Sequence, residues 1–141
     1  EIVSFSSGEE LLLSDKHIDI LFLDIQMQGR NGMETARELR KKDKGVILIF
    51  VTAVEEYVFQ AFDVGAFNYI VKPVDDMKFA DVLRKAVAEV GSHDTDVKEP
   101  EANYVMINSG GVHTKVKIED IVYAEVFNRK VAIHKLNDEI E

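Results

Sequence analysis

Ile18-Asp19-Ile20-Leu21-Phe22-Leu23-Asp24 is an apolar run that ends on a carboxylate. It reads as a buried strand opening into a loop. Two later runs close the same way. Residues 46–51 lead into Thr52-Ala53, and Tyr69-Ile70-Val71 leads into Lys72-Pro73. A carboxylate, a hydroxyl and an ammonium thus stand at the ends of three successive predicted strands. In an open parallel sheet those ends share one edge, where such folds build their sites.

Working outward, strands alternate with helical patterns as far as Gly91, the signature of an α/β fold with a doubly wound parallel sheet. Residues 2–5 read as a short strand, and Ser6-Ser7-Gly8 turns into a helix over 9–13. Residues 33–41 read as a helix, with Ala36, Leu39 and Arg40 at helical spacing. The strand over 46–51 is apolar throughout, which predicts cover on both faces. A helix over 57–64 ends at Gly65, a C-cap residue. A strand over 67–71 is stopped by Pro73. A long helix over 76–90 places Phe79, Leu83, Ala86, Val87 and Val90 on one face. Residues 92–102 are polar and carry Pro100, a solvated linker. Beyond it only strands are predicted, over 104–108, 112–118, 121–127 and 131–136. Turns fall at Gly110-Gly111, Asn128 and Asn137-Asp138. That is an antiparallel meander of a different class, giving the chain three parts: 1–91, a linker over 92–102, and 103–141.

The 141 residues suit one domain or two small ones. No apolar stretch has membrane-spanning length, and no basic-then-apolar signal opens the chain, so a cytoplasmic protein with no membrane partner is expected. There is no cysteine, which excludes disulfides and thiolate metal sites. A net charge of -9 argues against general nucleic-acid affinity. The tail is nonetheless basic. Lys115, Lys117, Arg129, Lys130 and Lys135 stand against Glu119, Asp120 and Glu125 over residues 102–137.

The chemistry available at Asp24 is nucleophilic. A carboxylate can attack a phosphoryl group and hold it as an acyl phosphate. Both partners are anionic, so cations must offset their repulsion. Mg²⁺ and the Lys72 ammonium can do so, and the Thr52 hydroxyl can donate to a phosphate oxygen. Each residue alone has a plainer reading. A strand-end Asp caps a turn, a strand-end Thr packs, and a Lys before Pro is a loop charge. Their joint order and spacing point to a phosphoacceptor.

Phe22-Leu23-Asp24, Thr52-Ala53 and Lys72-Pro73 together resemble the receiver domain of two-component response regulators, over residues 1–91. The resemblance implies Asp24 as phosphoacceptor with Thr52 and Lys72 beside it, and a cis peptide before Pro73. It makes Tyr69 the aromatic switch residue. It makes Asp24 and the backbone carbonyl of Gln26 ligands of Mg²⁺. Gly32-Met33 is similar to the start of the family's next helix, while Gln28 departs from a common proline. Receivers open with a strand ending in two acidic residues that complete the Mg²⁺ site, followed by a helix. The resemblance therefore implies that this central strand and helix precede Glu1, and that residues 1–91 alone do not form a stable monomeric receiver. It also implies a phosphoryl acceptor with at most self-limited transfer and hydrolysis, not an enzyme.

In the tail, Ile118-Glu119-Asp120-Ile121-Val122-Tyr123-Ala124-Glu125 is similar to the β module of LytTR-type DNA-binding domains, which follow a receiver in LytR/AgrA-type regulators. That implies a partial DNA-binding domain whose loop Asn128-Arg129-Lys130 reaches DNA. Arg and Asn can read base edges there, and Lys can neutralise phosphate. A solvated hairpin turn with ordinary charges remains the plainer alternative. The whole reads as a regulator phosphorylated on Asp24 by a cognate sensor histidine kinase. Phosphorylation would move Thr52 and Tyr69 and promote a homodimer through the face made by the helix over 57–64, the strand over 67–71 and the helix over 76–90. Phe59 would lie on that surface, because Tyr57 and Phe59 cannot point the same way as Val58 and Phe62. Two alternatives stay open. One is an Asp-nucleophile phosphatase, disfavoured because Gln26 stands where its second Asp belongs. The other is a regulator whose tail binds protein. His17, His93, His113 and His134 show no metal-ligand spacing and read as structural or solvated.

Overall fold

Three apolar strands, β1 (Ile20–Leu23), β2 (Ile47–Thr52) and β3 (Ala66–Val71), lie side by side in parallel. This computed structural model describes residues 1–90, 103–135 and 139–140. Expectations for the linker over 92–102, for His93 and for the turn at Asn137-Asp138 lie outside the described residues. Among the described residues four α-helices accompany the strands: α1 (Gly8–Leu13), α2 (Gly32–Lys42), α3 (Val58–Asp63) and α4 (Asp76–Glu89).

Alternation along β2 sorts its side chains between two cores. Leu48 and Phe50 join Leu21, Leu23 and Tyr69 against α1, α2 and α3, through Leu11, Met33, Ala36, Val58, Ala61 and Phe62. Ile47 and Ile49 join Ile70 on the other side, against Val82 and Ala86 of α4. β2 is covered on both faces, as its composition requires. The helices are stopped and started by local chemistry. α2 opens on a capping box in which Asn31 accepts from the Glu34 N–H and Glu34 accepts from the Asn31 N–H. α4 opens on Asp75, whose carboxylate accepts from the N–H groups of Met77 and Lys78. The Arg40 guanidinium ties the end of α3 to the loop before β2 by donating to the carbonyls of Val64, Gly65, Lys44 and Val46.

Three expectations need correction. Residues 2–5 form no strand, and Ile2 is 97% exposed. A parallel strand is held by ladder bonds to its neighbours, and no described strand pairs with residues 2–5. β1 is consequently the outermost strand of its sheet, and Phe22 stays 37% exposed against Phe79. The inward face of α4 is centred on Val82 and Ala86, with Val87 58% and Val90 39% exposed. Among the described residues no second helix lies beside α4 to cover them.

The third correction concerns the tail. β4 (Tyr104–Ser109) and β5 (Val112–Lys117) form a hairpin that joins the first sheet instead of standing apart. The strand order is β1-β2-β3-β5-β4, with β5 antiparallel to β3. Without this hairpin the backbone groups along the outer edge of β3 would lack ladder partners. The hairpin turns on Gly110 and Gly111, both at positive φ, as a two-residue loop requires. Only the later strands make a separate antiparallel sheet: β6 (Ile121–Phe127), β7 (Lys130–Lys135) and β8 (Glu139–Ile140).

Candidate functional site

Parallel registry brings the three strand ends together. Lys72 donates its backbone N–H to the Thr52 carbonyl at 2.8 Å, which aligns the exits of β3 and β2. The Lys72 ammonium then reaches Asp24, with Nζ donating to Oδ2 at 2.7 Å. The other carboxylate oxygen, Oδ1, accepts from the Gln26 N–H at 3.0 Å. Thr52, fully buried, also turns its hydroxyl to the carboxylate. Burial pushes the Asp24 carboxyl up, but Lys72, the Gln26 N–H and Thr52 together outweigh it and hold the group below the usual carboxylate range. Asp24 is therefore ionised at neutral pH, as a nucleophile must be, and remains partly open to solvent.

The loop after β1 is shaped by Gly32. Its N–H donates to the Ile25 carbonyl at 2.9 Å, and a Cβ there would lie 2.1 Å from the Asp24 carbonyl oxygen. Gly32 thus lets the first turn of α2 close directly against the backbone of Asp24 and Ile25. The Lys72–Pro73 peptide is cis.

Tyr69 is wholly buried, packed on Phe50, and its hydroxyl donates to the Val54 carbonyl. Burial first, and the negative charge of Glu55 second, push that hydroxyl up to about 12, so it stays a donor. The Val54 N–H in turn donates to Thr52 Oγ1 at 3.4 Å. Thr52 and Tyr69 are therefore linked through one residue of the loop that follows β2.

His113 was not singled out by its spacing. The β5 register sets it opposite Tyr69, with the two rings edge to face at 5.8 Å. Its buried Nε2 has no hydrogen-bond partner among the described residues. Burial pushes the imidazole below its ordinary value, while Glu55 pulls the other way. Tyr69, held neutral, and Glu55 are the titratable groups acting on the ring. A histidine with a lowered folded-state value stabilises the docked hairpin fully above its ordinary value of about 6.5, and that stability is lost as pH falls below it. Protection of the β5 amides, relative to their intrinsic exchange rates, is expected to fall as pH drops below about 6.5, and His113→Phe to flatten that dependence. Equal pH dependence in both proteins would show that His113 is not the group responsible.

The other described histidines pair with carboxylates, His17 with Asp19 and His134 with Glu125. Among the described residues no three His, Asp or Glu side chains converge on a metal position. Near-octahedral Mg²⁺ needs more than one carboxylate and one carbonyl. Asp24 moreover already accepts on both oxygens. The residues described do not by themselves fit a held Mg²⁺.

The structure places the predicted DNA-contacting residues far from Asp24 in sequence and on a different sheet. Asn128 and Arg129 form the two-residue turn between β6 and β7, at φ of 49° and 64°. Lys130 is the first residue of β7, paired with Phe127, and all three turn-region residues are exposed.

A carboxylate, a neighbouring lysine ammonium and a buried threonine thus meet at one sheet edge. The chain belongs to the response regulator receiver domain family, which matches residues 1–84. Its relatives extend the likeness beyond the receiver. The sensory transduction protein LytT of Oceanobacillus iheyensis is 30% identical over 141 residues, covering 97% of this chain and 56% of that protein. LytT of Enterococcus faecalis is 34% identical over 128 residues, covering 89% of this chain and 52% of the relative. The chain thus spans about half the length of these curated relatives. Among solved structures, the response regulatory domain of protein mrkE from Klebsiella pneumoniae superposes with a TM-score of 0.62 at 30% identity, covering 66% of this chain and 79% of that one. Response regulator TrrA of Thermotoga maritima, solved in complex with Mg(2+)-BeF, gives 0.55 at 31% identity, covering 61% and 76%. No helix among the described residues is long and apolar enough to cross a membrane.

Proposed function

We propose that this chain is the phosphoacceptor half of a cytoplasmic transcription regulator, charged on Asp24 by a cognate sensor histidine kinase. The observation that carries the reading is the convergence of Lys72 and Thr52 on one ionised carboxylate. An Asp24 oxygen attacks the phosphorus of the donor, the bond to the donor's leaving group breaks, and an acyl phosphate remains. Lys72 moves from carboxylate to phosphoryl oxygen, and the Thr52 hydroxyl donates to another. Nothing else is asked of the chain, so phosphoryl turnover is limited to acceptance and slow hydrolysis. Mg²⁺ belongs to this reading as the cation present in the TrrA complex. It is a requirement of the full-length protein, with the Asp24 carboxylate and the Gln26 carbonyl as the contributors from these residues.

Phosphorylation reorganises the loop through Thr52, Val54 and Tyr69 and favours a homodimer through α3, β3 and α4. Phe59 at 73% exposure is the apolar residue of α3 left for such a contact. Two output modules are then presented to DNA. The test is incubation of the full-length protein with acetyl phosphate and Mg²⁺. One acid-stable, base-labile phosphoryl group should appear, with tighter DNA binding. Stoichiometric labelling with unchanged DNA affinity would favour a tail that binds protein instead.

The turn between β6 and β7 supplies a sharper expectation. A left-handed backbone suits Asn128 but costs an Arg about 1 kcal/mol or more. Arg129→Gly should therefore raise stability by about 0.5–1 kcal/mol. The same change should lower specific DNA affinity, since a bidentate Arg–guanine contact is worth about 1–3 kcal/mol. Lys130→Ala should weaken all duplexes alike and reduce the salt slope by about one. Titrations on specific and scrambled duplexes at two salt concentrations separate these outcomes. Identical binding by wild type and Arg129→Gly would remove the turn from the interface.

A further inference from the structure

The face proposed for dimerisation is already occupied. β5 pairs with the outer edge of β3 at Asn68↔Thr114, Tyr69↔His113 and Ile70↔Val112, and the Val71 N–H donates to the Gly111 carbonyl at 2.9 Å. Asn68, 4% exposed, donates from Nδ2 to Thr114 Oγ1 at 2.8 Å and to the His113 carbonyl at 3.3 Å. From α4, Lys78 donates to the hairpin turn at the Gly110 carbonyl, 3.0 Å away. On the opposite flank, Phe59 and Phe62 of α3 line a cleft with Tyr104 and Met106 of β4. The hairpin therefore lies across β3 between α3 and α4. A strand edge accepts one partner at a time.

The same hairpin touches the switch. Along the molecule, the contacts run from the Asp24 carboxylate to the Thr52 hydroxyl, from Thr52 Oγ1 to the Val54 N–H, from the Val54 carbonyl to the Tyr69 hydroxyl, and from the Tyr69 ring to His113. The docking is also built to come apart. Three paired positions hold β5 to β3, whereas six hold β5 to β4, so the hairpin can leave β3 intact.

We infer that the β4–β5 hairpin is an internal competitor for the α3–β3–α4 face, holding the unphosphorylated chain monomeric and leaving β3 when Asp24 is phosphorylated. This rests on the phosphorylation and dimerisation proposed above. Its sign follows from linkage. If hairpin and second copy exclude one another, whatever favours the dimer disfavours docking by the same factor.

The 141 residues contain no cysteine, so a designed pair has no rival among them. Asn68→Cys with Thr114→Cys places two thiols on facing positions of neighbouring antiparallel strands, within the reach of a disulfide. In the full-length protein the bond should form readily before phosphorylation and at least about tenfold more slowly after treatment with acetyl phosphate and Mg²⁺. Once oxidised, the phosphorylated protein should sediment as a monomer, and reduction should restore the dimer. Failure of the disulfide to form in the unphosphorylated protein, or equal dimerisation of oxidised and reduced forms, overturns the inference. Exchange of the Val71 amide in wild type needs no variant. It should speed up on phosphorylation, and an unchanged rate also overturns the inference. Should phosphorylated wild type stay monomeric while Val71 exchange rises, the dimer reading fails and hairpin release stands.

Discussion

Asp24→Asn should reduce phosphoryl incorporation to background while leaving the fold in place. The amide keeps the size and planar shape of the carboxylate, and its oxygen can still accept from the Gln26 N–H. What is lost is the anionic nucleophile and the charge partner of Lys72. That pair is partly exposed, so its removal should cost little stability. Other carboxylates are poorly placed to take over. Asp75 is committed to capping α4, and Asp81 pairs with Lys85 and Arg84. Intact mass measurement after acetyl phosphate treatment of the full-length variant checks this directly. A persistent base-labile adduct on the Asn protein would move the acceptor elsewhere and leave the Lys72–Asp24 pair a structural feature.

Gly32→Ala is expected to be destabilising against the trend of its helix. Position 32 is the first residue of α2, and in a helix Ala is favoured over Gly by about 1 kcal/mol. Propensity alone therefore promises a gain. The added Cβ, however, would sit 2.1 Å from the Asp24 carbonyl oxygen and 2.8 Å from both the Asp24 carbonyl carbon and the Ile25 Cα. These are backbone atoms, with no rotamer to change. Either α2 retreats from β1 or the loop carrying Asp24 shifts. Overpacking of this kind costs about 1–3 kcal/mol and occasionally more, which outweighs the helical gain. A lower urea midpoint and slower phosphorylation are expected together, because the displaced residue is the nucleophile itself. An increased midpoint with unchanged labelling would mean that α2 does not approach Asp24 so closely.

Legibility followed the range of the interactions. Asp24, Thr52 and Lys72 could be read because each ends an apolar run, and a parallel sheet brings strand ends to one edge whatever the details of packing. α2 and α4 were readable from apolar residues at helical spacing, since that periodicity repeats within a few turns, whereas their caps, Asn31 with Glu34 and Asp75, are findings of the structure. The Gly110-Gly111 turn was equally local. Gly32 could be recognised as a helix start, but its contact with the Asp24 carbonyl depends on how closely α2 closes on the loop after β1.

The sequence by itself determined the strand–helix alternation, the placing of Asp24, Thr52 and Lys72 at strand ends, and the hairpin turns, because periodicity and positive-φ residues act over a few neighbours. Only the tertiary structure decided which edges those strands share. Residues 2–5 have strand composition yet no ladder partner, and they stay unpaired. β5 reads as part of a separate module, yet the open backbone edge of β3 lies nearby and β5 pairs with it. That pairing carries His113 to Tyr69 across a separation of 44 residues, which no local pattern encodes. A backbone edge accepts any strand that reaches it in register, so its occupant is settled by the assembled sheet and not by the strand's own residues.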